Sequence, residues 1–112
     1  MNLILAIVRP SRVDEIKDAL AKIDLPGFTV TDVRGHGRQK GHKEIYRGAE
    51  YEVDLLPKAE IKVIVPEDRT EEVIGAISAA ARTGKIGDGK IFVLPVTQAV
   101  RIRTGEKGPS AL

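Results

Sequence analysis

Thr83-Gly84-Lys85-Ile86-Gly87-Asp88-Gly89-Lys90 runs straight into Ile91-Phe92-Val93-Leu94, and what flanks this octapeptide decides the fold. Three glycines let backbone N–H groups turn toward an anion, and two lysines add positive charge, so one reading is a phosphate cradle. The other is a Gly-rich turn with lysines at the surface. Gly84 to Lys90 satisfies G-x-x-x-x-G-K, but Ile91 follows where a P-loop needs Ser or Thr to hold magnesium. The direction is also reversed. A P-loop leads from strand to helix, whereas here a helical pattern ends at Arg82 and a strand-like run begins at Ile91.

Working outward, Val73, Ile74, Ile77, Ala80 and Ala81 give the preceding segment an apolar face. Asp68 and Glu71 fit a capping box before it, and Gly75 costs the helix roughly 1 kcal/mol against Ala. Glu60 to Val65 alternates Ile61, Val63 and Val65 and predicts a strand ended by Pro66. After the octapeptide, Ile91 to Val96 predicts another, where Pro95 favours a sheet edge. At the start of the chain, Leu3 to Val8 is continuously apolar and predicts a strand buried on both faces. Ser11 stands as an N-cap with Asp14 three residues on, and Val13, Ile16, Leu20 and Ile23 recur at helical spacing. Pro26-Gly27 turns the chain into a strand over Phe28 to Val33.

From Gly35 to Pro57 regular patterning weakens, which predicts a long functional loop of about twenty residues holding Tyr46 and Tyr51. Charged Glu44, Arg47, Glu50, Glu52 and Asp54 make this an exposed arm. Residues 105–112 are polar, with Gly and Pro, and are expected to fray. The order strand, helix, strand, strand, helix, strand is the α+β, ferredoxin-like βαββαβ arrangement. Both helices then lie on one sheet face. The other would expose Ile, Val and Phe, so subunits are expected to associate.

Composition narrows the function. The chain has 112 residues, 42% hydrophobic and 30% charged, with no break that marks a second domain, so 1–112 is expected to be one unit. A formal charge of +2 is no nucleic-acid polycation, and aromatic residues for base stacking are few. Absence of cysteine removes disulfides, thiol nucleophiles and thiolate metal sites. His36 and His42 lie in a polar loop with no third ligand evident and read as solvated. The apolar run at the N-terminus is too short for a signal core or a membrane span, so a cytoplasmic protein is expected. No Ser, Thr or paired-carboxylate constellation for catalysis is recognisable. Anion binding remains, by the octapeptide, by Arg38 and Gln39, and by Arg101 and Arg103, which share a side if the backbone there is extended.

Four blocks carry a resemblance: GRQKGH at Gly37 to His42, YRGAEY at Tyr46 to Tyr51, TGKIGDGKIFV at Thr83 to Val93, and RIRTGE at Arg101 to Glu106. On these the chain resembles the PII nitrogen-regulatory signal proteins, without gaps over nearly its whole length. The resemblance implies a homotrimer of ferredoxin-like subunits that covers the apolar face, and a non-enzymatic sensor with ATP or ADP bound between subunits. It places nucleotide contacts on Thr29, Gly37, Arg38, Ile64, Gly87, Asp88, Gly89, Lys90, Arg101 and Arg103. It implies 2-oxoglutarate bound by Gln39, Gly41, Lys58 and Gly87, with magnesium bridged to ATP and Gln39 as its protein ligand. Residues of about 37–55 then resemble the family's T-loop, which docks on ammonium transporters and on enzymes and regulators of glutamine metabolism; docking on a transporter would bring the protein to the membrane. Tyr51 stands at the position that a nucleotidylyltransferase modifies in many members, and Ala49 where some carry a phosphorylated serine. His36, Lys62 and, within the C-terminal tail of about 104–112, Lys107-Gly108-Pro109 depart from the family, Lys62 replacing a frequent glutamate and Lys107-Gly108-Pro109 the short acidic tail of some relatives. The rival from another class is a nucleotide-hydrolysing enzyme built on the degenerate P-loop.

Overall fold

Asn2–Val8 forms β1, and its alternation settles how the sheet lies. Ile4, Ala6 and Val8 are buried, while Leu3, Leu5 and Ile7 between them are half-buried. The expectation of burial on both faces is corrected: one face meets helices, and no layer covers the other among the described residues. A strand that is apolar on both faces reads the same in sequence whether or not its second face is covered. The computed structural model describes residues 1–25, 27–36, 43–46, 49–52 and 55–112, with backbone alone for 43–46 and 49–52.

The remaining elements are α1 (Val13–Lys22), β2 (Thr29–Gly35), β3 (Lys43–Tyr46), β4 (Ala49–Glu52), β5 (Leu56–Val65), α2 (Thr70–Ala81) and β6 (Gly89–Pro95). β2, β5, β1 and β6 form one antiparallel sheet in that order. This is the expected βαββαβ arrangement, and β6 lies at an edge, as Pro95 suggests. The sequence misses β3 and β4, which pair as a hairpin with Tyr51 opposite Glu44. Half of their residues are charged, and they offer no apolar periodicity to read. β2, β5 and β6 also begin or end a few residues away from the expected limits, within ordinary boundary uncertainty.

Ile16 and Leu20 of α1 and Val73, Ile77 and Ala81 of α2 fill the core against Ile4, Ala6, Val8, Ile61, Val63 and Val65. Each fully buried Leu or Ile contributes about 1.5–3 kcal/mol. The expected caps are not used. Ser11 and Asp68 sit inside 3-10 turns, Pro10–Arg12 and Glu67–Arg69, and neither helix has a side-chain N-cap bond. Pro10, and Pro66 just before the second turn, favour this because a fixed φ and a missing N–H suit the start of a helical segment.

The two lead-in turns instead cap the opposite helix. Arg12 donates from Nε and Nη2 to the Ala80 carbonyl, at 2.9 and 2.7 Å. Arg69 Nη2 donates to the Ile23 carbonyl at 2.5 Å, at the end of α1. Each arginine thus places a cation at the negative end of the neighbouring antiparallel helix. At the start of α2, buried Thr70 accepts from Asn2 Nδ2 at 2.9 Å, which ties α2 to β1.

The tail does not fray. Val100 bridges Lys107, the Gly108 amide donates to the Ala99 carbonyl at 2.9 Å, and Gly108–Ala111 closes a 3-10 turn. No helix among the described residues is long and apolar enough to cross a membrane.

Two stability effects of opposite sign are expected. Gly75 is exposed in mid-helix with open space where a Cβ would stand, so Gly75→Ala should stabilise by about 1 kcal/mol, read by urea denaturation. Arg12→Ala should destabilise by roughly 1.5 kcal/mol in the same assay, through loss of a charge-assisted cap.

Candidate functional site

α2 stops at Ala81 because Arg82 turns extended, with φ −70° and ψ 128°, and Gly84, Gly87 and Gly89 then take positive φ. The loop closes on a carboxylate of its own. Asp88 Oδ2 accepts from the amides of Thr83 and Gly84 at 2.8 and 2.9 Å, and its Oδ1 accepts from the Thr83 hydroxyl and, at 3.1 Å, from Arg9 Nε. The two readings of the octapeptide therefore merge: it is a turn, and the anion that its first amides cradle is internal. These bonds hold the Asp88 carboxyl far below the usual carboxylate range. The Thr83 hydroxyl contributes most, then the Thr83 amide; desolvation opposes, and the Gly84 amide and Arg9 add less.

Two cations from the sheet brace the same loop. Arg9 Nη2 donates to the Ile86 carbonyl at 2.7 Å, and Lys58 Nζ to the Gly87 carbonyl at 2.9 Å. Burial chiefly, and then Arg9, push the Lys58 pKa down, while Asp88 opposes them. Gly89 is fixed for a steric reason. Its φ is +103°, and a Cβ built there would overlap the carbonyl of Ile7 on β1. Glycine is the residue that fits.

The other predicted residues lie elsewhere on the molecule. Thr29, Ile64 and Arg101 line a cavity of about 950 Å³ with Leu3, Phe28 and Lys62. Asp88, Gly89 and Lys90 line a separate one of about 270 Å³ with Arg82 and Ser78. Thr29 is on β2 and Lys90 on β6, the two edges of the sheet, three strand spacings or about 14 Å apart. A single chain does not bring the two groups together. Arg101 and Arg103 do not lie on an extended segment: the Gly105 amide donates to the Arg101 carbonyl at 2.7 Å and curls the chain between them. Arg101 faces the tail, where its Nη2 meets the Leu112 main-chain oxygen at 2.9 Å. Lys62 pairs with Glu60 at 3.0 Å. Gly37, Arg38, Gln39, Gly41 and His42 lie outside the described residues, and Tyr51 is described through its backbone alone.

Sequence reasoning missed the Arg9 brace, the inward turn of Asp88 and the tail on Arg101. Asp88 stands five residues after Thr83 among glycines, a spacing at which a short carboxylate reaches back to backbone amides. Nothing in sequence couples Arg9 to it across 79 positions.

The βαββαβ sandwich, with one sheet face uncovered among the described residues and a self-bracing, cation-flanked loop at its edge, is a ferredoxin-like α+β domain whose Gly-rich loop runs from helix into strand, the reverse of a P-loop. The family model described as "Nitrogen regulatory protein P-II" matches residues 1–106, and the chain belongs to that family. It is 56% identical over 112 residues to the nitrogen regulatory protein P-II of Azospirillum brasilense and 52% to P-II 1 of Escherichia coli (strain K12), each covering 100% of both chains. Among solved structures, Arabidopsis thaliana PII bound to citrate is similar at a TM-score of 0.82 and 43% identity, over 99% of this chain and 91% of that one.

Gly89→Ala should open the loop by forcing β6 away from Ile7, seen as loss of the Asp88-bonded Thr83 and Gly84 amide protection in hydrogen exchange. That protection should itself be flat from pH 8 down to about 4. Asp88 is depressed in the folded state, so its contribution is complete above the unfolded value near 3.9 and falls only as pH drops toward the folded one.

Proposed function

We propose that the protein is a non-enzymatic sensor that binds ATP or ADP and 2-oxoglutarate between the subunits of a homotrimer and signals through residues 37–55. The carrying observation is the division of site residues between the two sheet edges. Thr29, Ile64 and Arg101 sit on one cavity, and Gly87 to Lys90 with Lys58 belong to the loop at the β6 side. Between them lies an uncovered face with Leu5, Ile7, Phe92 and Leu94, the last two 49% and 44% exposed. A second copy against that face sets the β2 edge of one subunit beside the β6 edge of the next and completes a cleft. Membership of the P-II family over residues 1–106, and one hydrophobic core, support a single domain of this kind.

In this cleft Leu3, Phe28 and Ile64 offer an apolar bed for the base, next to Thr29. Lys90, Arg101, Arg103 and the backbone of Gly87 to Gly89 are suited to the phosphates, with Gly37 and Arg38 closing from the T-loop base. A micromolar ligand needs about 8 kcal/mol, within reach of three or four charge-assisted contacts at about 1.5–3 kcal/mol each plus base burial. Lys58, which donates to Gly87 here, would turn to a carboxylate of 2-oxoglutarate, with Gln39, Gly41 and Gly87 completing that site. Magnesium would take its oxygens from ATP, from 2-oxoglutarate and from Gln39, a donor set that suits a hard cation and requires no carboxylate cluster on the protein. Against catalysis stand Ile91 in place of the P-loop hydroxyl residue and the engagement of Asp88 by Thr83, Gly84 and Arg9, which leaves it no role as a base.

Residues 37–55, with the β3–β4 hairpin, would present Tyr51 to a nucleotidylyltransferase and dock on an ammonium transporter or on enzymes and regulators of glutamine metabolism. The protein would act in the cytoplasm and reach the membrane through the transporter.

Calorimetry of the purified protein tests the assignment. 2-Oxoglutarate should bind only with ATP and magnesium present, and heat without that dependence, or none, would sink it. Lys90→Ala should weaken ATP by roughly 2 kcal/mol, about thirtyfold. Steady multiple-turnover phosphate release, abolished by the same substitution, would instead establish the hydrolase.

A further inference from the structure

Arg101 meets the chain's own tail where the proposed nucleotide site needs it free. Its Nη2 donates to the Leu112 main-chain oxygen at 2.9 Å, its Nε points to the Ala111 carbonyl at 3.4 Å, and Nη1 lies 3.6 Å from Glu106 Oε1. All three partners come from the eleven residues after Arg101. Pro109 and Leu112 stand with Arg101, Thr29, Lys62 and Ile64 on the wall of the 950 Å³ cavity. The tail is at once a wall of the cavity and the partner of its arginine.

The tail is also built to swing. Its main-chain ties to the segment before it are the Val100–Lys107 bridge, the Arg101 amide to the Glu106 carbonyl at 2.9 Å, and the Gly108 amide to the Ala99 carbonyl at 2.9 Å, none of them at a fully buried residue. Gly105 and Gly108 take φ of 75° and 71° with open space around them, so two permissive residues flank the bridge. Leu112 is 40% exposed and belongs to no core cluster. Arg101 therefore has two mutually exclusive sets of acceptors. The Ala111 carbonyl, the main-chain oxygen of Leu112 and the Glu106 carboxylate hold it now, at 3.4, 2.9 and 3.6 Å, and the several charged oxygens of a polyphosphate would replace them with closer charge-assisted bonds.

We propose that residues 108–112 are a latch that competes with the polyphosphate of a nucleotide for Arg101, so that nucleotide binding releases the tail and the tail sets the apparent affinity. This rests on the nucleotide-sensor reading above. Coupling of this kind is reciprocal: whatever factor the closed tail takes from nucleotide affinity, bound nucleotide takes from tail closure. A tail closed about nine-tenths of the time would weaken apparent binding about tenfold.

Two measurements test it. Calorimetry with ATP should give an affinity about tenfold tighter for a chain ending at Lys107 than for the full chain. Equal or weaker binding by the shortened chain, with the full chain binding normally, overturns the latch and leaves the sensor standing. Binding by neither, with the intact chain folded by circular dichroism, overturns the sensor and the latch with it. Hydrogen exchange on the intact protein covers the case of a shortened chain that does not fold. Saturating ATP should speed exchange of the Gly108 amide, now bonded to Ala99, and unchanged or slowed exchange overturns the proposal.

Discussion

β1 carries two ladders at once, and their registers govern where the chemistry falls. Val8 is opposite Ala59 of β5 and Gly89 of β6 in the same row. The residue that follows β1 is Arg9, and beside it, one step beyond that row, come Lys58 and Asp88. Two cations and a carboxylate from positions 9, 58 and 88 are thus delivered to one end of the sheet by strand pairing. A slip of one residue would turn Ile4, Ala6 and Val8 out of the core and separate these groups as well. Core and site are held by the same constraint. Gly89 tightens it further, because its backbone lies so close to the Ile7 carbonyl that a side chain has no room.

Much of this was legible in sequence, for reasons that also explain the rest. Apolar periodicity over Val13 to Ile23 and Val73 to Ala81 reports which face meets the sheet, and Pro95 reports an edge. The hairpin over 43–46 and 49–52 escaped because its ladder is backbone bonding between short segments, half of whose residues are charged. Helix capping was misplaced because the local motifs at Ser11 and Asp68 say nothing of neighbours in space. Arg12 and Arg69 cap α2 and α1 through antiparallel packing, a relation set by the tertiary fold. For the candidate site, the sequence names residues but not their arrangement. Residue types in the Gly-rich loop announce anion chemistry, but only the fold shows that Asp88 already supplies the first anion and that Arg101 and Arg103 lie on a turn and not on an extended segment.

The internal anion changes what the glycines are for. An empty cradle of amides would have to be organised by its ligand, and that ordering would subtract from affinity. Here Thr83 and Gly84 are committed to Asp88, Ile86 and Gly87 are held through their carbonyls by Arg9 and Lys58, and the loop has its shape beforehand. Preorganisation also restricts the loop. Amides already bonded within it offer little to a ligand, which leaves recognition to the residues after Ile86 and to side chains such as Lys90.

Lys58 and Arg101 share one feature that ties these observations together: each cation makes its shortest bond, 2.9 Å, to a main-chain oxygen of its own chain, with Glu106 a longer partner of Arg101 at 3.6 Å. A cation left bare in a half-buried setting would lower the stability of the fold, and one sunk in a strong ion pair would resist a ligand. A carbonyl is an intermediate partner. It satisfies the charge well enough to keep the fold intact, yet a carboxylate or phosphate oxygen outcompetes it through the added charge. On the sensor reading proposed above, each exchange would also free an oxygen, of Gly87 in the loop or of Leu112 in the tail, so the segment that carried it would rearrange. Ligand binding at the sheet edge would in this way be coupled to backbone movement by bonds the fold already contains.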